Sequence, residues 1–169
     1  AQDPSARVAC EVLVTTDFVC VAGEFRSCAT VDVDAVVRAT IAQIGYVGGF
    51  NEGFDASTVQ IINNMHAQSA EIAQGVDAGD RASEGAGDQG HMFGYACTET
   101  PEFMPAAIHY SHAVLRHLEQ VRRNGETRLR PDAKSQATLE YVNDIPVRAH
   151  TLLISHQHDP SLSKAELTA

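Results

Sequence analysis

The alternation of apolar and polar positions begins with two Val-rich runs between Ala6 and Gly23, ARVACEVLVTTDFVCVAG, separated by Thr16-Asp17. That pattern predicts a β-hairpin. With a two-residue turn, Glu11 faces Ala22 and Glu24 falls diagonally on the same face, so two acids sit side by side at the hairpin's open end. Next, Asp32 or Asp34 is placed to cap a helix carrying Val37, Ile41 and Ile44 at spacings of four and three, with Gly45 placed to end it. The segment YVGGFNEGFD reads as turns through its glycines, and Ser57 to Asn63 resumes a strand pattern through Val59, Ile61 and Ile62.

From Gln68 to Gly90 the periodicity lapses in a stretch rich in glycine and acids. Loops beyond about 12 to 15 residues inside a compact domain are usually functional or disordered. His91 to Cys97 then reads as an apolar strand. Thr100-Pro101 opens a helical region with Ile108, Leu115, Leu118 and Val121 on its inner face, ended by Asn124-Gly125. Lys134 to Val142 and Pro146 to Ser155 alternate as strands about an Asn143-Asp144 turn, and the last residues read as a polar connection. Hairpins followed by amphipathic helices, twice over, predict an α+β protein of two layers, with mainly antiparallel sheets and helices on one side.

Composition narrows the function classes. A chain of 169 residues, 44% of them hydrophobic, can bury a core without disulfides. Its net charge of −10 opposes a phosphate backbone over most of the surface and argues against general nucleic-acid binding. No apolar run approaches the roughly 18 residues of a membrane span, and the start lacks the features of a signal peptide, so a cytoplasmic protein without a membrane partner is expected. Cys10, Cys20, Cys28 and Cys97 show no CxxC spacing, and three lie in apolar alternation, which predicts buried thiols. With no initiator Met and a strand signal so near the start, loss of a preceding segment is expected.

Several residues could carry chemistry. Arg122, Arg123, Arg128, Arg130 and Lys134 concentrate positive charge against an acidic background. Two readings stand for this cluster: phosphate contacts by Lys134 and an Arg, or a solvated helix end where cations suit the dipole. The cluster alone would also suit an unrelated anion-binding module. Gly85-Ala86-Gly87-Asp88-Gln89-Gly90 allows close approach of backbone and carboxylate to a ligand, or is a plain turn; it is neither a Walker A nor a dinucleotide-binding fingerprint. Neighbouring Glu11 and Glu24 repel unless a cation or ammonium group lies between them, although an exposed edge would also tolerate them. His109, His112, His117, His156 and His158 lack a third carboxylate ligand at zinc spacing and make a weak metal signal. No Ser-His-Asp order or nucleophile elbow supports hydrolase chemistry of that type.

GAGDQGHMFGYACTET at 85–100, MPAAI after it and LRPDAKSQ at 129–136 closely resemble the methionine adenosyltransferase, or S-adenosylmethionine synthetase, family. The resemblance continues through ARVACEV, VAGE, IGY and QSAEIAQGVD, in family order over essentially the whole chain. It implies formation of S-adenosylmethionine from ATP and methionine, with cleavage of tripolyphosphate to phosphate and pyrophosphate, using magnesium and potassium at sites built between subunits of a homodimer or homotetramer. It further implies Glu11 as a potassium ligand, and Glu24, Gln68 and Asp88 as methionine-binding residues. Asp132, Ala133 and Lys134 would contact ATP, with Lys134 on the polyphosphate and both Lys134 and Asp88 catalytic. Residues 1–67 would form the N-terminal segment, 68–90 the mobile active-site loop and GAGDQG turn, and 91–169 the central segment of an interwoven three-domain fold. The family's HPDK and GGGAFSGKD motifs do not occur, so the expectation is an early-to-middle portion, cut at both ends. A non-catalytic fragment or regulatory subunit that binds a full-length partner or a nucleotide is the alternative.

Overall fold

The β1–β2 hairpin joins Arg7–Thr15 to Phe18–Arg26 in the register expected, with Thr15 opposite Phe18 and Glu11 opposite Ala22. The turn closes because Asp17 takes a left-handed φ of 52°, which short polar residues tolerate. In this computed structural model, residues 2–49, 53–69, 85 and 90–168 are described. The chain divides into two units, Ala1–Met92 and Phe93–Ala169.

In the first unit, helix α1 (Val33–Ile44) starts where the sequence places it. The Asp32 carboxylate accepts the Ala35 N–H at 3.0 Å, and Gly45 ends the helix with φ 114°. Strand β3 (Gln60–Ala67) follows and lies parallel to β2, giving the sheet order β1-β2-β3. The expected sheets are mainly antiparallel, and this one parallel pair arises because a helical crossover reverses the chain between β2 and β3. The strand also starts later than Ser57. The Thr58 and Val59 N–H groups donate instead to the Asp55 carbonyl, forming a turn.

Alternation along β2 buries Val19 and Val21, which pack with Ile41, Ala56 and Val59. Val33, Val37, Tyr46, Phe54, Ile61 and Met65 close around them. Arg38 pins α1 to this core by donating to the Ala56 and Val59 carbonyls at 2.8 and 3.2 Å. The buried Asp55 carboxylate accepts the N–H groups of Gly49 and Ser57 and the Ser57 hydroxyl, which together hold its carboxyl down at about 2. Because α1 packs over β2 and β3, Val8, Val12 and Val14 on the same side of β1 stay exposed.

In the second unit, α2 (Ala106–Arg123) packs against β4 (Leu129–Val142), which forms a long hairpin with β5 (Ile145–His158). Both strands extend beyond the predicted bounds, and left-handed Asn143 and Asp144 make the predicted turn. Ser135 marks the packed face by donating its hydroxyl to the Ser111 carbonyl at 2.7 Å. A five-residue helix, α3 (Lys164–Thr168), replaces the expected polar connection. Ser163 and Glu166 form its reciprocal cap, and Leu162 is buried just before it.

Four further expectations are corrected. Residues 91–97 form no strand; Met92 and Phe93 are almost fully exposed, and an apolar run without a ladder partner cannot hold strand geometry. The helix opens at Ala106 instead of Pro101, because Thr100 folds a turn onto Met104 and Pro105 provides the start. Ile108 on that helix is 42% exposed and lies off its covered face. The cysteines are free, with Cys10 and Cys28 exposed and Cys20 and Cys97 half-buried, since β1 is an uncovered edge among the described residues and Cys20 points away from the Val19–Val21 face.

Candidate functional site

The face of the first sheet opposite α1 gathers the acids expected from the pattern. Glu24 pairs with Ala9 on β1 and with His66 on β3, while Glu11 lies diagonally one step along β1. That diagonal separates the two Cβ atoms by about 7 Å, within reach of a shared cation or of its water. Glu24 is half-buried between its neighbours and Glu11 is exposed. The sequence pattern does not mark His66 as part of this group, since single-strand periodicity does not reveal a parallel partner.

Gln68 follows β3 directly, and its backbone N–H donates to the Phe25 carbonyl at 2.9 Å. This extends the ladder by one residue and fixes Gln68 beside the strand that carries Glu24. Its side-chain Oε1 is buried without a hydrogen-bond partner among the described residues. An acceptor in that condition costs about 1–3 kcal/mol until a donor arrives. Asp88 and most of the 68–90 segment lie outside the described residues.

In the second unit, burial alternates along β4, leaving Asp132 and Lys134 exposed and turning Ala133 to the opposite side. Pairing shifts between Leu129 and Ala133, so the DAK triplet stands where the ladder with β5 becomes irregular. Lys134 faces Ser155 across the hairpin, and no acid among the described residues pairs with it.

The arginines of the basic cluster are engaged elsewhere. Arg123 pairs with Glu119 at 2.8 Å, and Arg130 with Asp159 at 2.7 Å. Arg128 bridges Glu126 at 2.9 Å and Glu166 at 3.2 Å, which holds the Glu126 carboxyl below its ordinary range and raises the guanidinium further; the Glu166 carboxyl is held down first by the Ser163 amide and hydroxyl and then by Arg128. The Arg128–Glu166 and Arg130–Asp159 pairs staple the start of β4 to the residues around α3, the Arg123–Glu119 pair lies within α2, and together they favour the structural reading for Arg123, Arg128 and Arg130. Lys134 takes part in none of these pairs.

Among the described residues the histidines do not assemble a metal centre. No group of three or more His, Cys, Asp or Glu side chains gathers around a common point among the described residues. His156 Nε2 instead meets the Arg130 carbonyl at 2.8 Å, and His109 Nδ1 lies 3.4 Å from Glu102. Nor is any helix among these residues long and apolar enough to cross a membrane.

Two family models match the chain: the S-adenosylmethionine synthetase N-terminal domain over residues 1–70 and the central domain over residues 83–169. Similar curated proteins are the S-adenosylmethionine synthases of Zymomonas mobilis and Paramagnetospirillum magneticum, each 51% identical and each matched over 98% of this chain. That of Granulibacter bethesdensis is 50% identical, also over 98% of the chain. The chain spans 42 to 43% of the length of these relatives.

Proposed function

This chain belongs to the S-adenosylmethionine synthetase family, and on that premise we propose that the protein forms S-adenosylmethionine from ATP, L-methionine and water, with release of phosphate and pyrophosphate. The observation that carries this reading is identity at about half of all positions over 98% of the chain, with both family domains in order.

In the reaction, the methionine sulfur forms a bond to the 5′ carbon of ATP while the bond to the tripolyphosphate oxygen breaks, and its electrons leave with the tripolyphosphate. The protein's task is to align sulfur with that carbon and neutralise the departing charge. Glu24 receives the methionine ammonium group, and Gln68 offers its unpaired acceptor to the same substrate. Lys134, exposed and without a competing acid among the described residues, holds the polyphosphate. Asp132 and Ala133 complete the ATP contact, and Asp88 serves the methionine and adenosine end. The proposed division is 1–67, 68–90 and 91–169, with the middle segment acting as the active-site loop.

Glu11 fits one oxygen ligand of potassium, a hard cation suited to carboxylates. For magnesium, no group of three or more His, Cys, Asp or Glu side chains comes together among the described residues. A cytoplasmic homodimer or homotetramer completes the reading.

Incubating the natively encoded protein with ATP, methionine, magnesium and potassium should yield S-adenosylmethionine. Lys134→Ala is expected to raise the KM for ATP about tenfold to a hundredfold, the size of one lost charged hydrogen bond, with methionine binding kept. Glu24→Gln should do the converse. A verified complete chain that makes no product would overturn the proposal. The exposed apolar residues of β1 and β5 favour one second reading, a non-catalytic subunit that binds a catalytic partner or nucleotide. Co-purification with that partner and no turnover alone would select it.

A further inference from the structure

Gly23 lies in β2 between Ala22, which faces Glu11, and Glu24, which faces Ala9. Its φ is 140°, a conformation that L side chains rarely adopt. A Cβ built there would overlap the carbonyl oxygen of Ala9 and stand 3.0 Å from its carbonyl carbon and 3.2 Å from the Cα of Cys10. All three are main-chain atoms, so no rotamer change relieves the overlap; β1 would have to move away from β2. Other left-handed glycines differ. Gly49 and Gly125 face open space, and Gly53 meets only the Thr16 side chain.

Resting on the reading of Glu24 as the seat of the methionine ammonium group, we propose that Gly23 is a positioning residue. Its missing side chain lets β1 and β2 close at the step between the two acids and so sets the placement of Glu24 relative to Glu11. Glu24 is half-buried beside its ladder partners Ala9 and His66, so a shift of the main chain at this step carries its carboxylate with it. The device therefore acts on recognition of the α-amino group and leaves the nucleotide contacts on β4 unaltered.

Gly23→Ala and Glu24→Asp, made in the natively encoded protein, test this against methionine, its des-amino analogue and ATP. Gly23→Ala should raise the KM for methionine about tenfold, reduce the preference for methionine over the des-amino analogue by the same factor and leave the KM for ATP within about twofold. Glu24→Asp withdraws the carboxylate by one methylene without backbone strain, and should reproduce that loss of preference at the wild-type melting temperature. If Gly23→Ala does not fold, Glu24→Asp decides: an unchanged preference overturns the inference. A folded Gly23→Ala with unchanged preference, or with both KM values rising together, also overturns it. Glu24→Gln without effect on methionine would remove the site assignment itself and this inference with it. An effective Glu24→Gln beside silent Gly23→Ala and Glu24→Asp would remove the positioning role alone.

Discussion

Asp55 shows how a single side chain organises a glycine-rich turn. Its carboxylate collects the Gly49 and Ser57 amides and the Ser57 hydroxyl, next to the Thr58 and Val59 amides held by its own carbonyl. These bonds favour the ionised form and lower its pKa from the ordinary 3.8 to about 2. Because the folded value is depressed, this stabilisation is complete above the unfolded value and is lost as pH falls through about 2. Urea midpoints followed from pH 6 down to about 2 should therefore fall on acidification, and Asp55→Asn should be less stable at pH 6 with a shallower acid slope. Equal slopes would show that other carboxylates carry the acid sensitivity. At this scale the turn and cap residues were legible: Asp32, Gly45 and Asn143-Asp144 act through bonds or dihedrals set by their immediate neighbours. Gly23 was not, because the atom that excludes a side chain there belongs to another strand.

Helix α2 gives the corresponding case for an element. Its first amide, Ala106 N–H, donates at 2.8 Å to Glu99 Oε2, and the same oxygen accepts the Tyr141 hydroxyl at 2.7 Å from the end of β4. The amide and the phenol hold the Glu99 carboxyl below its ordinary range, while the carboxylate raises the phenol. Tyr141→Phe is expected to leave α2 formed but loosen its first turn, read as faster hydrogen exchange at Ala106 to His109 with Val114 to Leu118 unchanged. Uniform acceleration along the helix would contradict a local cap. The apolar spacing of Leu115, Leu118 and Val121 was enough to place this helix, but its start was not legible. A cap reaching seven residues forward from Glu99 has no local sequence signature.

For the molecule as a whole, the uncovered apolar surface is informative. Val12, Leu13, Leu153 and Ile154 are each about half exposed, on strands whose outer edges pair with nothing among the described residues. Such edges invite a further chain, in keeping with the proposed homo-oligomer. Leu153→Lys should lower the mass seen by sedimentation while leaving the far-ultraviolet dichroism intact; an unchanged mass would place the subunit contact elsewhere. The sequence by itself determined the α+β class, the two hairpins with their turns, the capped helix α1 and the family, because each rests on local periodicity, local capping or an ordered set of motifs. It also placed Glu11 diagonal to Glu24, since a two-residue turn leaves an antiparallel pair one register. The tertiary structure alone decided the parallel seat of His66 beside Glu24, the main-chain contact at Gly23, the exposed cysteines and the irregular coil at 91–97. Each of those depends on which strand or helix arrives from a distant part of the chain, and a long-range contact leaves no period in the residues that make it.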